Sequence, residues 1–115
     1  MANPLSLYRV DGDRVITAGQ VGIDLENGDA PADFEGQMRV AFKNLAHVLE
    51  EAGAKLDDVL KTTVFLVRRE DAAQMNAIYR EYFEEPYPAR STIICGLVLP
   101  DLLFEMEAEA RIGAR

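Results

Sequence analysis

The last segment of the chain, 104–112, alternates apolar and charged residues at almost every position. Its apolar face carries Phe104, Met106, Ala108, Ala110 and Ile112. Its charged face carries Glu105, Glu107, Glu109 and Arg111. A period of two residues is typical of a β-strand that buries one face. This segment is therefore predicted to be a strand with one charged face.

Two longer segments repeat their apolar residues every three or four positions, as amphipathic helices do. The first begins at Phe34, where Asp33 can act as the N-cap and Gly53 can end the helix. Its apolar stripe continues through Met38, Ala41, Phe42, Leu45, Val48 and Leu49. The second helix is capped near Asp71 and ends before Pro86. Its stripe, which predicts core positions, consists of Met75, Ile78, Tyr79, Tyr82 and Phe83.

Three further segments, 15–21, 60–67 and 91–97, contain the β-branched and aromatic residues that strands favour. The resulting order β, α, β, α, β, β favours an α+β fold in which both helices pack on one face of the sheet. In the stretch 91–95 of the third segment, every residue after the first two is apolar, so that side chains on both faces of the strand are apolar. This pattern predicts a strand that is covered on both faces. A homo-oligomer that packs sheets together would supply the missing cover, and a shallow groove or a bent sheet are the alternatives.

Length and charge narrow the class of protein. The 115 residues contain no repeat or linker and are expected to form one domain, 1–115. The formal net charge of −8 produces a surface field that repels phosphate and anionic lipid, so neither nucleic acid nor a membrane is an expected partner. The N-terminal residues lack the pattern of a signal peptide, and no apolar run reaches the roughly 20 residues that span a bilayer. A cytoplasmic protein is expected.

Cys95 is the only cysteine in the sequence and His47 the only histidine. An internal disulfide is therefore excluded, and the soft ligands are too few for a zinc site, although a magnesium ion held by carboxylates stays open. His47 has no carboxylate or cysteine at ligand spacing and is predicted to lie on the surface. Cys95 lies in an apolar strand and is predicted to be a small core residue. No metal or cofactor is expected.

Arg90 opens an otherwise apolar strand, directly after a loop stiffened by Pro86 and Pro88. A guanidinium placed there is suited to bind an oxyanion, although a structural ion pair with one of the glutamates is the alternative. Glu105 could orient a water molecule, could be the structural partner of Arg90, or could be a solvated residue of an edge strand. Gly19 permits close approach of the backbone to a ligand, and a bulge or turn is the other explanation.

Several motifs, in order along nearly the whole chain, resemble the RidA family, which is also called YjgF or L-PSP and comprises enamine/imine deaminases. They are ITAGQ at 16–20, KNLAHVLEEAGAKLDDVLKTTVFLV at 43–67, NAIYREYF at 76–83, PARS at 88–91 and FEMEAEA at 104–110. The stretch CGLVLPD at 95–101 resembles the RutC branch, the aminoacrylate deaminases. The resemblance implies a chorismate-mutase-like mixed sheet with two helices on one face, assembled as a homotrimer with clefts between subunits.

The resemblance also implies roles for particular residues. Arg90 of the PARS motif would bind the substrate carboxylate, and Glu105 would position the attacking water. Backbone groups at Gly19 and Thr92 would line the cleft, together with the helix residue Asn76.

Two positions differ from the family pattern. Ala18 stands where the family has a serine, and Leu5 stands where it has a tyrosine. Both changes make the implied cleft less polar and place the preference for the smallest substrates in question.

The resemblance implies a cofactor-free hydrolase that converts 2-imino acids of the 2-aminoacrylate type to 2-oxo acids and ammonia. A trimer that binds small carboxylates, or acts like a chaperone, without turnover is the alternative. A ribonuclease or translation inhibitor is a third hypothesis, against which the acidic composition argues. The sequence leaves open the substrate's side chain and whether Glu107, on the same strand face, replaces Glu105.

Overall fold

A mixed six-stranded sheet backed by two helices forms the fold in the computed structural model, which describes residues 3–114. The strands are β1 (Tyr8–Asp11), β2 (Arg14–Thr17), β3 (Gln20–Val21), β4 (Val59–Leu66), β5 (Ala89–Ile94) and β6 (Phe104–Arg111). The helices are α1 (Phe34–Glu51) and α2 (Ala72–Tyr82). The predicted α+β class and the order of its main elements are confirmed. The hairpin strand β1 was not predicted, because its four residues YRVD carry little apolar signal.

The strand order in the sheet is β1-β2-β6-β4-β5, and β3 continues the line of β2 along the same edge of β6. β6 pairs antiparallel with β2, β3 and β4, whereas β5 runs parallel to β4 after the crossover through α2. β6 therefore lies inside the sheet. The hypothesis that Glu105 belongs to a solvated edge strand is wrong, because β6 has hydrogen-bonded neighbours on both sides.

Both helices pack on the same face of the sheet, as predicted. The alternating pattern of β4 and β6 turns one set of side chains toward this face, where Val64, Leu66, Phe104 and Met106 are fully buried. The helices contribute the apolar stripes anticipated from their spacing, and Tyr79 and Phe83 are buried among them. Burial of such side chains contributes roughly 1.5–3 kcal/mol each and fixes which face of the sheet stays open.

The ends of α1 follow from its capping residues. The Asp33 carboxylate accepts a hydrogen bond from the backbone N–H of Gly36 at 3.2 Å, and Gly53 has a φ of 89°, which favours glycine after the helix. Asp71 precedes α2 but its side chain does not cap the helix; it accepts two hydrogen bonds from Arg68 instead. The first helix boundary is thus set by local sequence in the predicted way, and the second is not.

Strand β5 is an edge strand, and all of its residues are exposed in the single chain. Within one chain the segment is not covered on both faces, and the prediction that another subunit supplies this cover stays a prediction. One edge of β5 pairs with β4, and no described strand pairs with its other edge. Ile93 is 45% exposed and Ile94 39%. Cys95, predicted to be a core residue within the strand, follows the end of β5 and is half-buried. Ile112 lies beyond the end of β6 and is exposed.

Among residues 3–114, no helix combines the length and apolar character that crossing a bilayer requires.

Candidate active site

Arg90 lies in β5 on the face of the sheet that carries the helices. It pairs with Thr62 of β4, and Thr62 points into the core. The Arg90 Nη2 donates a hydrogen bond of 2.8 Å to Asn76 Oδ1, and Nη1 lies 3.6 Å from the sulfur of Met75. The guanidinium carbon sits 4.8 Å from the centre of the Tyr79 ring, within cation–π range. Helix α2 thus fixes the guanidinium through three neighbouring residues.

Tyr79 is itself held in place by the core. It is 4% exposed, and its hydroxyl forms a hydrogen bond of 2.8 Å with the hydroxyl of Thr62. Burial raises the pKa of Tyr79, while the Thr62 hydrogen bond and the Arg90 charge act in the opposite direction. The ring therefore stays neutral under Arg90. Sequence reasoning assigned Tyr79 to the core alone, although its spacing of three residues from Asn76 places both on one helix face.

The partners of Arg90 are neutral, and none of the salt bridges found among residues 3–114 includes it. The hypothesis of a structural ion pair with a glutamate is therefore wrong for the single chain. The side chain borders an open depression of about 310 Å³, with Tyr87 and Pro88 on its rim. A positioned guanidinium without a carboxylate partner has the charge and geometry that suit an oxyanion.

Glu105 lies in β6 on the opposite face of the sheet. It pairs with Val21 of β3 on one side and with Phe65 of β4 on the other. These positions alternate with the core positions of their strands, so the Glu105 side chain points away from the core. Glu107 shares this open face, as the alternation predicted. Because residues paired across strands share a face, the Glu105 and Arg90 side chains leave the sheet in opposite directions. One chain does not bring them together.

Gly19 makes room for the Glu105 carboxylate. It lies in the break between β2 and β3, where a Cβ atom would be 2.8 Å from Glu105 Cδ and closer still to Oε2. A side chain at this position would displace the carboxylate. The glycine therefore permits a close approach to the backbone, as predicted. The group that approaches it in this structure is the Glu105 side chain and not a ligand.

Burial raises the pKa of Glu105, and the negative charge of Glu107 raises it further. Among residues 3–114, no donor forms a hydrogen bond with this carboxylate. The alternative that Glu105 is the structural partner of Arg90 is wrong within one chain, because the two side chains leave opposite faces of the sheet. A half-buried carboxylate with a raised pKa is a stronger base than an exposed one and is free to bind water.

An apolar recess, called here the leucine cavity, adjoins Glu105. It has a volume of about 540 Å³ and is lined mainly by aliphatic side chains, among them Leu5, Leu7, Leu97, Val98 and Leu99. Ala18 and Gly19 form part of its wall. The volume lies within the roughly 300–1,000 Å³ of typical small-molecule sites.

The residues singled out from the sequence thus fall into two groups. Asn76, Arg90 and Thr92 lie at the edge of the sheet on the helix side, where Thr92 pairs with a buried valine of β4 and is exposed. The second group surrounds the leucine cavity and consists of Leu5, Ala18, Gly19 and Glu105. The first group contains a guanidinium with neutral partners, and the second contains a recessed carboxylate beside an apolar cavity.

The remaining candidates take no part in either group. His47 is exposed, as predicted. The statement that no carboxylate lies at ligand spacing from it is wrong, because Glu51, one helical turn away, lies 3.1 Å from His47 Nε2. The backbone N–H of Cys95 donates to the carbonyl oxygen of Leu66, and its thiol is unpaired. In the described part of the chain, no three His, Cys, Asp or Glu side chains are grouped to hold a metal ion.

The fold and the site together define a small α+β protein with an arginine at a sheet edge, held by neutral partners, and a recessed glutamate. The crystal structure of RidA from Psychrobacter superposes on this chain with a TM-score of 0.92 and 30% identity, covering 97% of this chain and 91% of that one. A sequence profile described as Endoribonuclease L-PSP matches residues 1–112, and the chain belongs to this family, which includes the RidA/YjgF proteins.

Two curated relatives extend the comparison. A RutC family protein of Pyrococcus abyssi is 43% identical over 100 residues, which cover 86% of this chain and 79% of the relative. The 2-iminobutanoate/2-iminopropanoate deaminase of Escherichia coli is 37% identical over 102 residues, which cover 86% and 80%. Homologues of this chain thus carry deaminase names, and the resemblance to RidA proteins drawn from the sequence motifs is confirmed.

Proposed function

We propose that the chain is a cofactor-free enamine/imine deaminase that hydrolyses 2-imino acids of the 2-aminoacrylate type to 2-oxo acids and ammonia. One observation carries this proposal. Arg90 is fixed by Asn76, Met75 and Tyr79, all neutral, so its positive charge stays available at an open depression. A carboxylate is the anion that every 2-imino acid carries, and a bidentate pairing with arginine contributes roughly 1.5–3 kcal/mol.

Glu105 is the group that would orient the water. Its carboxylate has no hydrogen-bond donor among the described residues, lies in a recess, and has a raised pKa because of burial and Glu107. These properties suit a base that accepts a proton from water and returns it to the departing nitrogen. Glu107 is more exposed, and the group that Gly19 makes room for is Glu105, which favours Glu105 for this role.

The proposed reaction needs positioning more than chemical activation. The enamine tautomerises to the imine, and the oxygen of water then forms a bond to the electrophilic imine carbon. The carbon–nitrogen π bond breaks, the nitrogen takes a proton from solvent, and Glu105 takes one proton from the attacking water. Glu105 then returns its proton to the nitrogen of the carbinolamine, the carbon–nitrogen single bond breaks to release ammonia, and the hydroxyl group loses its proton to solvent to form the carbonyl of the 2-oxo acid. Because the imine hydrolyses spontaneously, holding the two reactants in place provides the acceleration.

We propose further that the chain assembles as a homotrimer in which each cleft takes Arg90 from one subunit and Glu105 from the next. Two features support this arrangement. The side chains leave opposite faces of the sheet, so one subunit cannot direct both at one substrate. Strand β5 also exposes Ile93, on the open face, to solvent, a surface that a neighbouring subunit would cover.

The first experiment measures ammonia release from 2-aminoacrylate generated enzymatically in situ, in excess of spontaneous hydrolysis. The native protein is compared with Arg90→Ala and Glu105→Gln, and Arg9→Ala serves as a matched control because Arg9 is an exposed arginine of the other edge strand. Loss of one charge-assisted pairing should lower kcat/KM about 10–200-fold in Arg90→Ala. Loss of the base should lower kcat about 10²–10⁴-fold in Glu105→Gln. Arg9→Ala should behave as the native protein.

A native protein that accelerates the hydrolysis of no imino acid would sink the deaminase proposal. If such a protein still binds 2-oxo acids in calorimetry and Arg90→Ala abolishes the binding, the site belongs to a carboxylate-binding trimer without turnover. The family description names an endoribonuclease, and a salt-dependent RNA-binding assay tests that activity directly. We expect no RNA binding, because the net charge of −8 opposes it.

A further inference from the structure

The leucine cavity is larger and less polar than the smallest imino acids require. We propose that it receives a bulky apolar side chain of the substrate, so that leucine-derived or aromatic 2-imino acids are preferred over the alanine-derived one. This inference rests on the proposed function, because it names the substrate class of the same site.

The walls come from three separate segments that meet beside Glu105. Leu5 and Leu7 come from the N-terminal segment, Val21 from β3, and Val98 and Leu99 from the loop after β5. With a volume of about 540 Å³, the space exceeds what a methyl group occupies. An alanine-derived substrate would leave most of this apolar surface in contact with water, whereas a branched side chain would cover it.

Two of the polar side chains in the walls, Gln20 and Asn44, already form hydrogen bonds with the backbone. Asn44 Nδ2 donates to the carbonyl oxygens of Val21 and Ile23 at 3.0 and 2.9 Å. Gln20 Nε2 donates to the carbonyl oxygen of Ala18 at 3.2 Å. These bonds hold the walls together and leave few donors directed at a ligand. A polar or charged substrate side chain would therefore lose hydrogen bonds to water without replacement.

The position of Glu105 connects the cavity to the reacting carbon. If the water bound by Glu105 attacks the imine carbon, the substituents of that carbon lie within a few bond lengths of the carboxylate. The substrate carboxylate is committed to Arg90 and the nitrogen must remain accessible to protons. The side chain is the remaining substituent, and the apolar surface beside Glu105 is the place for it.

The decisive measurement is kcat/KM for two imino acids produced in situ by an amino acid oxidase, one from leucine and one from alanine. A methylene that fits an apolar pocket changes kcat/KM by about 10–200-fold, so the leucine-derived substrate should be favoured at least tenfold. The corresponding 2-oxo acids, 4-methyl-2-oxopentanoate and 2-oxopropanoate, provide a second readout through calorimetric binding that requires no turnover.

The variant that probes the cavity is Leu5→Asn combined with Leu99→Asn. Both side chains are exposed by half or more, so the change alters polarity with little effect on the core. The ratio of kcat/KM for the leucine-derived substrate to kcat/KM for the alanine-derived substrate should fall about tenfold in this double variant. Leu60→Asn is the matched control, since Leu60 is 50% exposed like Leu99 and does not line the cavity.

Failure of the two proposals can be told apart. Equal or better turnover of the alanine-derived substrate, unaffected by the double variant, would overturn the cavity assignment and leave the deaminase intact. In another outcome neither imino acid is hydrolysed faster, 4-methyl-2-oxopentanoate binds more tightly than 2-oxopropanoate, and the double variant weakens that binding. This outcome would overturn the deaminase proposal and support the cavity assignment. If neither 2-oxo acid binds and neither imino acid is hydrolysed faster, both proposals are wrong.

Discussion

Arg90 and Glu105 are positioned by opposite means. Arg90 is held by direct contacts with the amide oxygen of Asn76 and the ring of Tyr79, whereas Glu105 is placed by the empty space at Gly19 and has no donor among the described residues. Two opposite charges side by side would neutralise each other. Within one chain the sheet prevents this by directing the two side chains to opposite faces, so that neither is the ion-pair partner of the other.

The separation of the two groups leads to the largest expected effect. Arg90→Ala and Glu105→Gln should each be nearly inactive alone. Unfolded and refolded together in equal amounts, they should recover about a quarter of the native activity, because a quarter of the clefts in a symmetric assembly would combine both intact residues. Ammonia release before and after mixing measures the recovery, and each variant refolded alone is the control. Absence of any recovery in mixed trimers would show that both residues serve a cleft from the same subunit.

The second effect concerns the space that places Glu105. Gly19→Ala should displace the flexible end of the carboxylate without disturbing the fold, since a methyl group would collide with Oε2 and Cδ. A shift of about 1 Å can cost up to roughly 100-fold in rate, so we expect kcat to fall tenfold or more at nearly constant KM. Gly96→Ala is the matched control, because a Cβ there meets no atom within 4 Å. Equal kinetics for the two variants would refute the positioning role of Gly19.

A smaller effect is expected from the ring beneath Arg90. Tyr79→Leu removes a cation–π contact that is worth about 0.5–1 kcal/mol at an accessible site, so KM should rise about two- to fivefold with little change in kcat. Tyr79→Phe keeps the ring and should restore KM, although it loses the Thr62 hydrogen bond and about 1 kcal/mol of stability. Thermal unfolding separates this loss of stability from binding. An equal rise of KM in Tyr79→Phe would contradict a role for the ring.

The smallest effect concerns pH. Glu105 must be ionised to act as the base, so kcat/KM falls as the pH decreases through its raised pKa. Glu107→Gln removes a like charge and lowers that pKa, which should move the acid limb of the profile to lower pH. Glu109→Gln is the control, because Glu109 pairs with Arg14 at 3.2 Å. If the acid limb of the pH profile does not move in Glu107→Gln, a group other than Glu105 controls that limb.

Much of the fold could be predicted because its signals are local. The helical spacing between 34 and 51 and the alternation between 104 and 111 each occur within one element, and the cap at Asp33 acts across three residues. The family motifs were equally informative for the site, since they singled out Arg90 and Glu105. The location of β5 was harder to predict, because an apolar edge strand and an apolar central strand look alike in sequence.

By itself, therefore, the sequence determined the class of fold, the helices and their common face, the family, and the residues of chemical interest. The tertiary structure decided their relationships: that Arg90 rests on Tyr79 with neutral partners, that Glu105 faces Gly19, and that the two charges leave opposite faces. The raised pKa of Glu105 also depends on burial and on a neighbouring charge. Propensity and periodicity act between residues close in the chain, whereas strand register, burial and electrostatic fields arise between segments that meet only after folding.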